Sequence, residues 1–269
     1  MIQTFRRHAL GLGFYLLVAV FLYLPILLLI IFSFNDSVLL TFPLKGFTLQ
    51  WYQDLFQADE LLLSVRNSLV VGIVSSIIST ILGTAAAIGV TRFTFKFRDT
   101  FLSLASLPLV IPYVVLGVAL LILLNALGVK LSLWTVAIGH VVINLPYVML
   151  IVSARLAGFA DNLEEAAMDL GANYWGTLLR ITLPISAPAL VAAFLSSFTT
   201  SFDEFSLAFF LTGTQNTLPV YLYSQLRFPS RLPIAITLSA VVIVVSLVIL
   251  SISEWLRRIG QNSSLTSVR

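Results

Sequence analysis

Runs of about 20 consecutive apolar residues recur along this chain, and each is long enough to cross a hydrocarbon layer of roughly 30 Å as an α-helix. A bilayer leaves backbone N–H and C=O groups no water to bond, so a spanning segment must be a helix or part of a closed barrel. Barrel strands would show about ten residues of strict alternation, and the sequence has none. The chain is 59% hydrophobic and 10% charged, against roughly 25% charged residues in an ordinary soluble domain. A bundle of transmembrane helices follows.

Hydropathy predicts six spans, at approximately 11 to 33, 66 to 91, 101 to 125, 131 to 154, 186 to 212 and 233 to 255. An even number puts both termini on one side. With that side cytoplasmic, Arg6, Arg7, Arg92, Lys96, Arg98, Arg155, Arg180, Arg257, Arg258 and Arg269 lie inside. Lys45, Arg66, Lys130, Arg227 and Arg231 then lie outside, and this asymmetry selects the orientation. Arg6 and Arg7 precede an apolar stretch that reaches Phe32 with no small-residue cleavage site, so it reads as a retained span. No internal repeat or linker divides residues 1–269, which are read as one transmembrane domain.

The basic residues, which give a net charge of +3, are scattered around span ends. They form no single face of the kind that binds nucleic acid. The absence of cysteine removes disulfides, thiolate metal sites and thiol nucleophiles. His8 and His140 lack the spacing of a zinc site, and no glycine-rich phosphate loop is present. Neither a metal nor a cofactor is expected on this chain. Pro25, Pro108, Pro112 and Pro146 interrupt helical patterns, two of them in the third span. Gly83, Ala85, Ala87 and Gly89 supply small-residue pairs for close helix approach in the second.

The most polar stretch is the loop at about 155–185, between the fourth and fifth spans. Asp161 followed by Glu164 has the spacing of a capping box, and Leu163, Ala166, Ala167 and Leu170 recur at helical spacing. Gly171 stands where a C-cap glycine belongs. A short amphipathic helix at about 162 to 171 is predicted, with Glu164, Glu165 and Asp169 off its apolar stripe. Pro184 and Pro188 fix the entry to the fifth span.

Glu165-Ala166-Ala167, Gly171, Ile181, Leu183 and Pro184, at these separations, resemble the EAA signature of binding-protein-dependent ABC importer permeases. The six-span organisation extends the resemblance over nearly the whole chain. It implies an all-α, type I ABC importer permease-like helix bundle with a cytoplasmic coupling helix. Glu164, Glu165, Ala166, Ala167, Asp169, Gly171, Ile181, Leu183 and Pro184 would then serve coupling to a partner ATPase dimer, which binds ATP and Mg. A second homologous permease would complete the translocation path, a periplasmic binding protein would deliver substrate, and the bacterial inner membrane would be the location. Phe34-Asn35-Asp36-Ser37, Gly46-Phe47-Thr48 with Trp51-Tyr52, and the segment Ser197–Ser206 resemble the polyamine-type subset, the second permease of spermidine/putrescine importers. Permeases for iron, thiamine or other organic solutes share much of this pattern.

The fifth span carries Asp203 and Glu204 at membrane depth. Intramembrane carboxylates are costly and face a bundle interior or a water-filled path. At helical spacing Phe194, Phe198, Phe202, Phe205 and Phe209 share one face, leaving Ser196, Thr199, Thr200, Asp203 and Glu204 on a polar side expected to line the substrate path. The alternative is a structural ion pair with Arg227, Arg231 or a partner subunit. His140, Asn144, Tyr147 and Asn125 are further polar groups in apolar surroundings, and a lone histidine there reads first as a hydrogen-bonded packing residue. Two other functions remain open on residues alone. A membrane-embedded enzyme using both carboxylates lacks a third catalytic group, and an autonomous secondary transporter lacks an evident inverted repeat.

Overall fold

A computed structural model describes residues 2–157, 162–245, 247 and 248. Asp161, with its half of the capping box, lies outside the described residues, as do Arg257, Arg258 and Arg269. The fold is all-α and polytopic. The helices are α1 (Ile2–Phe32), α2 (Gln50–Gln57), α3 (Asp59–Arg92), α4 (Arg98–Ser106), α5 (Tyr113–Ala126), α6 (Leu133–Ala157), α7 (Asn162–Asp169), α8 (Tyr174–Thr177), α9 (Leu183–Asp203), α10 (Ser206–Leu211), α11 (Leu218–Gln225) and α12 (Pro229–Val245).

Among the described residues four helices are long and apolar enough to cross a membrane: Gly11–Phe32, Asp59–Arg92, Leu133–Ala157 and Tyr174–Asp203. The third expected span is instead a broken pair, Arg98–Leu109 and Tyr113–Ala126, bent by 105°. Its cause is Pro112, which has no N–H to donate and sits in extended conformation (ψ 132°) at the N-cap of α5. The fifth span is also interrupted: α9 ends at Asp203, Glu204 is extended (ψ 119°), and α10 begins two residues later. Of the sixth, the described part is the shorter apolar helix α12.

By its contacts the chain divides into two compact units, Met1–Asp59 with Leu222–Arg269, and Glu60–Tyr221. In the first unit no residue of α1 from Gly11 to Phe32 is fully buried, and Ile26 and Leu28 to Phe32 are partly covered. The segment after it is organised by Asn35, whose side-chain carbonyl accepts the Lys45 N–H (3.1 Å) and whose backbone carbonyl accepts the Trp51 indole N–H (3.0 Å). Asp36 N–H donates to Gly46 O (3.1 Å) and Thr48 N–H to Phe34 O (2.8 Å), closing a single antiparallel bridge between Asn35 and Phe47. Thr237 of α12 donates its hydroxyl to Ser33 O (3.3 Å).

The second unit packs α3, α5, α6, α9 and α10 around two apolar clusters, one centred on Val136, Ile143, Leu207 and Leu211, the other on Ala87, Val148, Val152 and Ala193. Small residues set the spacing. A Cβ built on Gly83 would lie 2.6 Å from Val148 Cβ and 3.1 Å from Leu145 O, so only glycine lets α3 approach α6 this closely. Ala87, one turn on, is fully buried in the same seam. The other expected pair divides from it: Ala85 is exposed, and nothing stands within 4 Å of a Cβ on Gly89.

Candidate functional site

The loop expected to carry coupling forms the helix α7, Asn162–Asp169. Its end is a two-bond turn: Ala172 N–H reaches Ala167 O (3.0 Å), Gly171 N–H reaches Met168 O (2.9 Å), and Gly171 takes φ +91°. That 6→1 and 5→2 pairing is the Schellman motif, and the left-handed residue it needs is why glycine stands there. Asn173 then starts α8, its side-chain carbonyl accepting the Gly176 N–H (2.7 Å).

Between α8 and α9 lies one π-helical turn, Leu178–Thr182. Pro184 supplies a reason, because its ring has no N–H for the carbonyl of Arg180 and crowds it; a widened turn relieves both. Pro184 therefore sits inside a helix continuous from Tyr174 to Asp203, where the sequence had placed the entry to a span.

The apolar stripe of α7 faces outward. Leu170 is 90% exposed and Leu163 49%, with Ala166, Glu165 and Asp169 also exposed and Ala167 partly covered. Glu164 does the reverse. Its Oε1 lies 3.0 Å from Arg92 Nη2 at the end of α3 and accepts the Thr182 hydroxyl at 2.8 Å. Ile181 and Leu183 are partly buried, and Pro184 is exposed.

The second group of expected residues is split by the break after α9. Ser196, Thr199 and Asp203 are exposed and Thr200 partly so, forming an open polar stripe. Glu204, expected beside them, is buried at 6% exposure. Its Oε1 and Oε2 accept the Leu207 N–H (2.8 and 3.0 Å) and its Oε2 the Ala208 N–H (2.9 Å), satisfying the free donors at the start of α10. Its Oε2 also lies 3.4 Å from Nε2 of His140, a residue of α6. The shared aromatic face divides too: Phe198 and Phe202 stack on α9, while Phe205 and Phe209 pack together across the start of α10.

Behind this break runs a buried polar seam. His140 Nδ1 and Ser201 Oγ are 2.6 Å apart, Ser201 Oγ and Ser75 Oγ 3.0 Å apart, and Asn144 Nδ2 donates to Ser197 O at 3.3 Å. His140 is thus the hydrogen-bonded interior residue its surroundings predict. Ser75 had no distinguishing sequence signal, since serine is common in packed membrane helices, and Ser197 and Ser201 stood only within the segment that resembles the polyamine-type subset.

Residues 79–259 match the family described as binding-protein-dependent transport system inner membrane component. The spermidine/putrescine transport system permease protein PotC of Escherichia coli K12 is 33% identical over 91% of this chain and 93% of its own. PotC of Haemophilus influenzae is 33% identical over 96% and 98%. The putrescine transport system permease protein PotI of Escherichia coli K12 is 36% identical over 77% and 76%. Among solved structures, a bacterial ABC transporter involved in the import of the acidic polysaccharide alginate matches with a TM-score of 0.73 at 18% identity, covering 95% of this chain and 96% of that one. An outward-facing loop helix, broken apolar spans and these likenesses agree, and the chain belongs to the inner-membrane components of binding-protein-dependent transport systems, the permease subunits of ABC importers.

Proposed function

We propose that this chain is the second permease subunit of a polyamine importer, passing spermidine- or putrescine-like cations across the inner membrane with both termini in the cytoplasm. The observation that carries the reading is the likeness to PotC and PotI along most of the chain. The open stripe of Asp203 with Ser196, Thr199 and Thr200 supplies the chemistry it requires. An ammonium group entering a partly dry path loses water, and a carboxylate with neighbouring hydroxyls replaces that solvation. Glu204, closed off from the stripe, holds the break that presents Asp203.

The drive comes from elsewhere. An ATPase dimer, carrying ATP and Mg, meets the outward face of α7 centred on Leu163, Ala166 and Leu170, beside Glu165. A second permease completes the path and a periplasmic protein selects the substrate. Nucleotide binding moves the permease pair only by contacting its two states differently.

The test is uptake in proteoliposomes containing the complete complex, with a solute panel presented on the binding protein. Polyamine-dependent uptake that needs ATP supports the reading. Uptake of iron, thiamine or an anionic solute with none of polyamines would overturn the substrate, and uptake by this chain alone would overturn the subunit role.

A further inference from the structure

We propose that Arg92, Glu164 and Thr182 form a latch that converts movement of α7 into movement of α3 and α9, making Arg92 and Thr182 positioning residues for transport. The inference rests on the reading of α7 as the ATPase-docking helix and adds what that helix pulls on.

Three features carry it. An eight-residue helix with its apolar residues turned outward has little to hold it in place, because helices shorter than about 12–15 residues are marginal without packing. Glu164 is its inward anchor, joined at 3.0 Å to Arg92 on the last turn of a 34-residue helix and at 2.8 Å to Thr182 at the end of the π turn. One carboxylate thus grips two long helices at once. The side chains of Arg92 and Glu164 are each 16% exposed, so solvent screens the pair less than it would a surface pair.

The surroundings permit movement. A cavity of about 280 Å³ adjoins the latch, bordered by Ile88, Arg92, Met168, Tyr174, Leu178 and Thr182. The hydroxyl of Thr177, also at its wall, is buried without a hydrogen-bond partner. Close-packed interiors resist gradual deformation, so space beside the anchor and a π turn within it place the compliance next to the load. Farther along, α3 and α9 meet again at the Ser75–Ser201 contact, 3.0 Å long, beside His140. Force applied at Glu164 therefore enters a helix pair of which one member, α9, ends at Asp203.

The test uses the complete complex in proteoliposomes and reads uptake per ATP hydrolysed, with co-purification of the ATPase as the measure of assembly. Arg92→Gln and Thr182→Val are expected to keep the ATPase bound while uptake per ATP falls at least about fivefold for Arg92→Gln, the lower end of common coupling strengths. Exchange of the charges, Arg92→Glu with Glu164→Arg, is expected to restore most of the loss. Unchanged uptake per ATP in Arg92→Gln would overturn the latch, as would a loss that the exchange does not restore. Loss of the ATPase from Arg92→Gln would also overturn it, because the pair would then belong to the docking surface. A Leu170→Asp complex that retains its ATPase would instead overturn the docking reading, whatever the latch variants do.

Discussion

Asp203 and Glu204 are adjacent in sequence, yet the chain turns between them so that one carboxylate closes α9 in the open and the other is buried against the first N–H groups of α10. Two like charges side by side at membrane depth read as a double site, and the backbone gives them separate tasks.

The separation predicts opposite phenotypes. Glu204→Ala removes the acceptor for two backbone donors and leaves His140 beside a void, at a cost on the order of 1.5–3 kcal/mol per charged hydrogen bond lost. The thermal midpoint of the detergent-solubilised complex is expected to fall by several degrees. Asp203→Asn is expected to leave that midpoint alone and reduce polyamine uptake at least about tenfold, the factor that 1.4 kcal/mol of lost charge compensation would give. Equal stability losses in both variants would refute the division.

Leu170, 90% exposed just past the end of α7, offers a direct probe of docking. Since the chain contains no cysteine, Leu170→Cys gives it a single thiol. That thiol is expected to react readily with a water-soluble maleimide in the isolated subunit and to be protected once the ATPase is bound. Equal labelling in both states would place the ATPase elsewhere.

Gly171 at φ +91° has no atom within 4 Å of where a Cβ would stand, so an added methyl meets no neighbour and the cost is conformational alone. Gly171→Ala should lose on the order of 1 kcal/mol locally. A weaker ATPase association is expected, measurable by titration, with an unchanged fold by circular dichroism. Gly171→Asn should lie between the two, because asparagine tolerates the left-handed region better.

Gly83 is the contrasting case, constrained by space rather than by backbone angle. Gly83→Ala drives a methyl into Val148 and the Leu145 carbonyl, and overpacking of this kind costs about 1–3 kcal/mol. Reduced thermal stability is expected, with partial rescue by Val148→Ala. No change in stability would show that α3 and α6 separate freely.

The membrane class, the loop helix and its glycine terminus were legible because each depends on local pattern: apolar length, helical spacing, and a residue that tolerates positive φ. The pairing of Phe34-Asn35-Asp36 with Gly46-Phe47-Thr48 was visible as two separate passages and became one feature only when their backbones met. Pro112 was visible as an interruption of the third span but not as a bend of 105°, and the break at Glu204 was hidden because apolar residues continue on both sides of it. The Arg92–Glu164 and His140–Glu204 pairs join residues far apart in sequence, and no spacing rule reaches across such distances. Glu164 looked like one of several acids on a helix surface, and only the position of α3 turns it inward.

The order of the chain has a bearing on how Glu204 comes to be buried. His140 and the helices α5 and α6 that α10 packs against are all synthesised before residue 204, and the N–H groups that its carboxylate accepts follow within four residues. A growing chain thus meets its most awkward charge after the receiving wall exists, and shelters it almost as soon as it emerges. A circular permutant that moved α9 and α10 ahead of α5 would have to carry that carboxylate without His140 beside it until α6 had been made.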